Sequence, residues 1–196
     1  MKVELIPVVE VDTRIEAVAF ASATPFSPGL PFYRTTDLTP SAVLALTKAH
    51  LQSYFAGTST LEEQLSLYGG YVLRIDGQNA LFPQCCGQLA DIIYWKHVAK
   101  CGTDAYYEGH PAPVATFTPD EVILHCHNEH EAFYPNTAPE IRLNRQALAA
   151  AYDKAVQELG ILAAPITQVG KELGLPVEDL AQMLIFHNPE MPDERP

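Results

Sequence analysis

The chain has 196 residues, 47% of them hydrophobic, enough for one full core without disulfide or metal staples. Twenty-four acidic residues against twelve basic ones give a formal charge of −12, and no stretch gathers Lys and Arg into a stripe that could follow a phosphate backbone. These totals argue against nucleic acid as a partner and for a basic protein. Met1 to Asp12 interrupts its apolar run with Glu4 and Pro7, and no run reaches the ~18 apolar residues of a membrane helix, so neither a signal peptide nor a membrane span is expected and a cytoplasmic location is.

In chain order, Val3 to Val11 reads as an edge strand broken or bulged at Pro7, with Ile15 to Ala21 returning against it. Thr24 to Asp37 carries Pro25, Pro28, Gly29 and Pro31 among Phe26, Phe32 and Tyr33, a loop pinned to the body by its aromatics. Thr39-Pro40 is an N-cap followed by proline at the first helical position, and Val43, Leu46, His50 and Tyr54 keep helical spacing up to Gly57. Thr60 and Glu63 have the spacing of a capping box and predict a short helix ending at Gly69.

Gly69 to Gly102 predicts strand, turn, strand, break and helix. Tyr71, Leu73 and Ile75 alternate with Val72 and Arg74, Asp76-Gly77 supplies a turn, and Ala80 to Phe82 returns before Pro83. Beyond Cys85-Cys86-Gly87, Leu89, Ile92 and Ile93 recur at helical spacing, with Asp91 and Lys96 placed toward water. The block LFPQCCGQLADIIYW, with YGGYVLRIDG before it and MKVELIPVVEV at the start, resembles a family of uncharacterised bacterial proteins without an established activity. The resemblance covers the first half of the chain well and the rest loosely.

In the second half, Val114 to Thr118 and Val122 to His127 predict a hairpin that joins the same sheet, and Ile141 and Leu143 flank Arg142 in another short strand. Asn144 then caps a helix whose Leu148, Ala151, Tyr152, Ala155 and Leu159 share one face and which Gly160 closes. Pro165 to Leu173 and Pro176 to His187 read as two short helices hinged at Gly174, and residues 188–196 as a frayed tail. The fold expectation is therefore a single α+β domain over 1–187. Its mainly antiparallel sheet of about five to seven strands is covered by helices near 40 to 56, 86 to 100 and 145 to 159.

Two clusters could carry chemistry. His125 and His127 would share a strand face, as paired imidazoles must to hold one Zn²⁺, with His130 or a carboxylate from the following loop as a third ligand; His110 and Cys85 join only if the fold brings them near. Cys85-Cys86 at a helix start would have its thiolates favoured by the helix dipole, although packing as small apolar residues at a crowded turn is the better-supported reading. With no export signal, Cys85, Cys86, Cys101 and Cys126 are expected to stay reduced. ITQVGKELGLPVEDLAQML has helix-turn-helix spacing, but Glu178 and Asp179 stand where a recognition helix would meet phosphates, so two packed helices are expected instead.

The functional expectation is a non-enzymatic, acidic protein-binding module without a cofactor, and the resemblance to small bacterial proteins implies an immunity-like, toxin-neutralising role. Tyr107, Glu108, Glu129, Glu131 and Tyr134 are the expected contact residues for a basic partner, because aromatics in proline-bearing loops can anchor and the carboxylates can steer. The alternative is a zinc-dependent enzyme built on His125, His127 and His130.

Overall fold

The fold is built on β1 (Val3–Glu10), a strand with apolar side chains on both faces. Val3, Leu5 and Val9 face the main core, while Ile6 and Val8 face a smaller one. The structure, a computed structural model, describes residues 1–12, 15, 19–20 and 23–187. The expected return strand from Ile15 to Ala21 falls mostly outside that set, and the tail 188–196 wholly so.

β1 pairs antiparallel with β2 (Phe32–Arg34) on one side and with β3 (Gly69–Ile75) on the other, and β4 (Gln78–Leu81) completes the order β2-β1-β3-β4. Contrary to the expected bulge and edge position, β1 is central and its register with β3 runs unbroken through Pro7↔Tyr71. The missing N–H explains why this is tolerated. Glu10 donates toward Tyr68 on the β3 side and Val11 toward Pro31 on the β2 side, so alternation aims the nitrogen of Pro7 at the β2 side. There the pairing reaches only Val8, and no ladder bond is lost.

The proline-bearing loop covers the sheet's other face. Phe26 and Phe32 pack on Phe82 at ring-centroid distances of 6.4 Å each and close the smaller core over Ile6, Val8 and Val72. These aromatics pin the loop and are not free to act as anchors. α1 (Pro40–His50), capped by Thr39 Oγ1 accepting from the amide of Ala42, continues after Leu51 into α2 (Gln52–Phe55). The helix expected from Thr60 does not form. Glu63 does accept from the Thr60 amide, but Leu67 donates to Leu184 O and its own carbonyl accepts from Leu89, which holds the segment extended.

The segment expected as one helix from 86 to 100 begins later and is composite: a 3-10 turn (Leu89–Asp91), α3 (Ile92–Lys96) and a π turn (His97–Cys101). Tyr94 and Trp95 are fully buried and serve packing, as expected. β5 (Val114–Phe117), β6 (Glu121–His125) and β7 (Glu140–Asn144) form a second antiparallel sheet instead of joining the first. Its strict alternation turns Ala115, Val122, Leu124, Ile141 and Leu143 into the main core and leaves Glu140 and Arg142 in water.

α4 (Arg145–Glu172) is far longer than expected, passing both Gly160 and Pro165 without ending. The buried stripe continues through Leu159, Leu162, Ile166 and Val169, so tertiary packing outweighs the local helix breakers. Pro165 withholds a donor from the carbonyl of Ile161, a residue 62% exposed where water can replace it. α5 (Leu180–Phe186), capped by Asp179, lies against α4 with Leu180 over Gly170, so the helix-turn-helix spacing encodes a packed helix pair.

Two glycines separate backbone crowding from helix propensity. Gly69 has φ +140°, and a Cβ there would lie 2.2 Å from Val8 O, whereas one at helical Gly160 would meet nothing within 4 Å. In urea denaturation, Gly69→Ala should lose at least about 2 kcal/mol and Gly160→Ala should gain about 0.5–1 kcal/mol. Equal effects of the two substitutions would contradict the close approach of Gly69 to β1 and the unbroken helix together.

Candidate functional site

Pro83 ends β4, and the chain that follows is fixed by polar groups rather than by regular structure. The side-chain amide of Gln84 behaves like a strand partner: its Oε1 accepts from the Tyr134 amide at 2.9 Å and its Nε2 donates to Tyr134 O at 3.0 Å and to Phe82 O at 2.8 Å. Cys85 O accepts from the His110 amide at 3.0 Å, a backbone bridge that sets residues 25 apart in sequence side by side. Cys86 has φ +65°, a left-handed turn that folds back the side chain which an extended chain would send the opposite way.

Asp91 joins these segments from beneath. It is buried, and its Oδ2 accepts from the Gln88 amide at 3.0 Å while its Oδ1 accepts from the Glu108 amide at 2.9 Å. One carboxylate thus ties the loop bearing Cys85 and Cys86 to the loop bearing His110. Burial raises its pKa to about 7 and outweighs the two amide bonds, which favour the charged form. Tyr71, Tyr94 and Tyr107 surround it, each with its phenol pushed up first by burial and then by nearby acidic groups that include Asp91.

The outcome is a cluster of three exposed ligand-type side chains. The sulfurs of Cys85 and Cys86 stand 3.3 Å apart, and with a ring nitrogen of His110 the three ligand atoms lie within 4.8 Å of one another. His110 Nδ1 is 3.4 Å from Glu131 Oε2. The Cys86 thiol is pushed up by its hydrogen bond with Cys85, then by burial and by the negative charges of Cys85, Glu108 and Glu10. A protonated thiol at neutral pH is a poor nucleophile, and Cys85 and Cys86 precede the first helical residue, Leu89, by four and three positions, so the expected helix-dipole activation does not apply. Exposure also replaces the expected packing role of Cys85 and Cys86; Cys126 is the buried one, its thiol raised to about 11 by desolvation. All four cysteines are free of disulfides.

Cys85 and Cys86 open onto a groove of about 740 Å³ with an apolar floor that includes Val11, Leu30, Phe32 and Pro83. Glu10 and Asp12 supply carboxylates, and the rings of Tyr68 and Tyr134, 44% and 70% exposed, stand at its side. A hollow of about 210 Å³ adjoins it, sharing Glu10, Asp12 and Tyr68. There His50 Nε2–H donates to Leu65 O at 2.8 Å, and burial lowers its pKa, so the imidazole is neutral.

The expected contact residues separate. Tyr134 is exposed at the groove, Glu129 and Glu131 are exposed, and Glu108 is half-buried with its amide taken by Asp91. Tyr107 is only 6% exposed, with its ring 5.0 Å from that of Tyr94, so it cannot meet a partner; its neighbour Tyr106 takes the outward position. The shared strand face expected for His125 and His127 is absent, because β6 ends at His125 and Asn128 Oδ1 turns the chain by accepting from the amides of His130 and Glu131. His125 Nε2 lies 2.9 Å from Thr116 Oγ1, while His127 and His130 line a separate hollow. Among the described residues, the grouping of three potential metal ligands is Cys85, Cys86 and His110.

Asp91 was expected to face water, and its role was legible only through the three-residue spacing Gln88 to Asp91, which sets the true start of the helical segment. No protein-family model, curated protein or solved structure matches this chain.

The raised pKa of Asp91 has a thermodynamic sign. The folded state holds this proton up to about pH 7 and the unfolded chain only to about 3.8, so this group's full stability is present below 3.8 and is lost as pH rises through 7. Some three pH units at about 1.4 kcal/mol each amount to about 4 kcal/mol. Wild-type stability measured against Asp91→Asn should therefore rise on going from pH 7.5 to pH 4.5. Parallel profiles would show that Asp91 has an ordinary carboxylate pKa.

Proposed function

We propose that this protein is a binding module that receives a basic segment of a partner protein in the groove between Tyr68 and Tyr134. The observation that carries the reading is the composition of that groove: an apolar floor, two exposed phenol rings and the carboxylates of Glu10 and Asp12, on a chain of net charge −12. Apolar floor and rings supply the desolvated contact on which affinity depends, and the charge supplies steering. Pro31 and Pro83 stiffen the groove's lining, so less conformational entropy is lost on binding.

The same charge that attracts Lys and Arg repels a polyanion. No helix among the described residues is long and apolar enough to cross a membrane. A basic toxin is the partner class toward which the resemblance of the first half points, and a reducing compartment such as the cytoplasm suits four free thiols.

Kinetics with an arginine- and lysine-rich peptide and with a neutral peptide of equal length test the reading. The basic peptide should associate more slowly as NaCl rises, and Glu10→Gln with Asp12→Asn should slow association further. Tyr134→Ala should raise its dissociation rate about tenfold, the effect of losing an aromatic anchor. Equal binding of the neutral peptide, or a dissociation rate indifferent to Tyr134, would sink the reading.

A further inference from the structure

We propose that Cys85, Cys86 and His110 form a three-ligand site for a borderline-soft divalent cation of the zinc type, with its fourth coordination position open toward the groove. Three independent features of the geometry converge on it. The ligand set is two sulfurs and one imidazole, a combination that selects zinc-like ions over calcium or magnesium, which prefer oxygen. The two sulfurs are brought to one side of the chain by the left-handed turn at Cys86, and His110 is set beside them by its amide bond to Cys85 O and by the Asp91 tie behind Glu108. Finally, Glu131 Oε2 stands 3.4 Å from His110 Nδ1, the arrangement in which a carboxylate holds one ring nitrogen protonated and leaves Nε2 to the metal.

The sulfur separation suits this assignment. Zn–S bonds of about 2.3 Å at a tetrahedral angle hold two sulfurs about 3.8 Å apart. The present separation of 3.3 Å therefore has to open by only about 0.5 Å, within the reach of small side-chain rotations in exposed residues. Three protein ligands leave one position, and because Cys85 and Cys86 line the groove it is reached from there by water or by a donor atom of a bound molecule. The site stands independently of the partner proposed for the groove.

Cobalt(II) is the probe, as a coloured stand-in for zinc. Reduced, untagged protein should bind one equivalent, with a sulfur-to-cobalt charge-transfer band in the near ultraviolet and the visible bands of a tetrahedral ion, both abolished by one equivalent of Zn²⁺. Cys85→Ser, Cys86→Ser and His110→Gln should each weaken binding at least tenfold, and Glu131→Gln about tenfold, as expected for a group that orients a ligand. Tyr134→Ala, His125→Ala and His127→Ala should leave the spectrum unchanged, so failure of the groove reading would not be mistaken for failure of this one. His110→Gln keeps the proposal testable should a cysteine variant fail to fold, since His110 is exposed and its structural bond is made by the backbone. Absence of the charge-transfer band, undiminished cobalt affinity in folded His110→Gln, or loss of the band in His125→Ala would overturn the assignment.

Discussion

Asp91 is the residue on which the arrangement of the site depends. A buried carboxylate is an expensive group to fold around, and this one is retained with two amide donors, from Gln88 and Glu108, as its direct partners. Beside them the loops following β4 and preceding β5 are joined by the Cys85–His110 backbone bond and by the Gln84 backbone amide donating to the Tyr107 phenol. With them, two segments of irregular chain are held at fixed distance and direction, and the exposed side chains they carry share one surface. The raised pKa is the electrostatic mark of the same arrangement: desolvation exceeds what two hydrogen bonds return.

The frame beneath is the pair of opposed faces on β1. Its main-core face is covered by α4 and its other face by the proline-bearing loop, so the strand is buried twice and sets the position of Gly69, Gly87 and the turn that follows. Gly69 donates to Gly87 O at 2.9 Å, and a Cβ on Gly87 would lie 2.8 Å from Gly69 O, while a Cβ on Gly69 would meet Val8 O of β1 at 2.2 Å, so each glycine answers a different close backbone approach. The cysteine turn is therefore seated on the central sheet through the Gly69–Gly87 backbone bond.

Much of this frame was legible in the sequence. The α+β class, the β3–β4 hairpin around Asp76-Gly77, the strands of the second sheet and the caps at Thr39 and Asn144 follow from alternation, turn residues and N-cap chemistry, all of them local signals. What was not legible depended on distant partners. Gly160 and Pro165 look like a helix end until the stripe Leu162, Ile166 and Val169 is seen to be buried, and Tyr107 looks like an exposed aromatic until Tyr94 is found beneath it. Cys85 and His110 were a pair only on condition that the fold joined them, which no local pattern states. His125 and His127 erred in the other direction, since a local period was extended past the point where Asn128 turns the chain.

The claim that one carboxylate organises the site is tested most directly by proton NMR of the amides it holds. The Gln88 and Glu108 amide resonances should shift together with pH on a shared midpoint near 7, the value to which burial raises Asp91, and both should lose hydrogen-exchange protection in Asp91→Ala. Independent titration of the two amides, a shared midpoint near 4, or unchanged protection in the variant would contradict it.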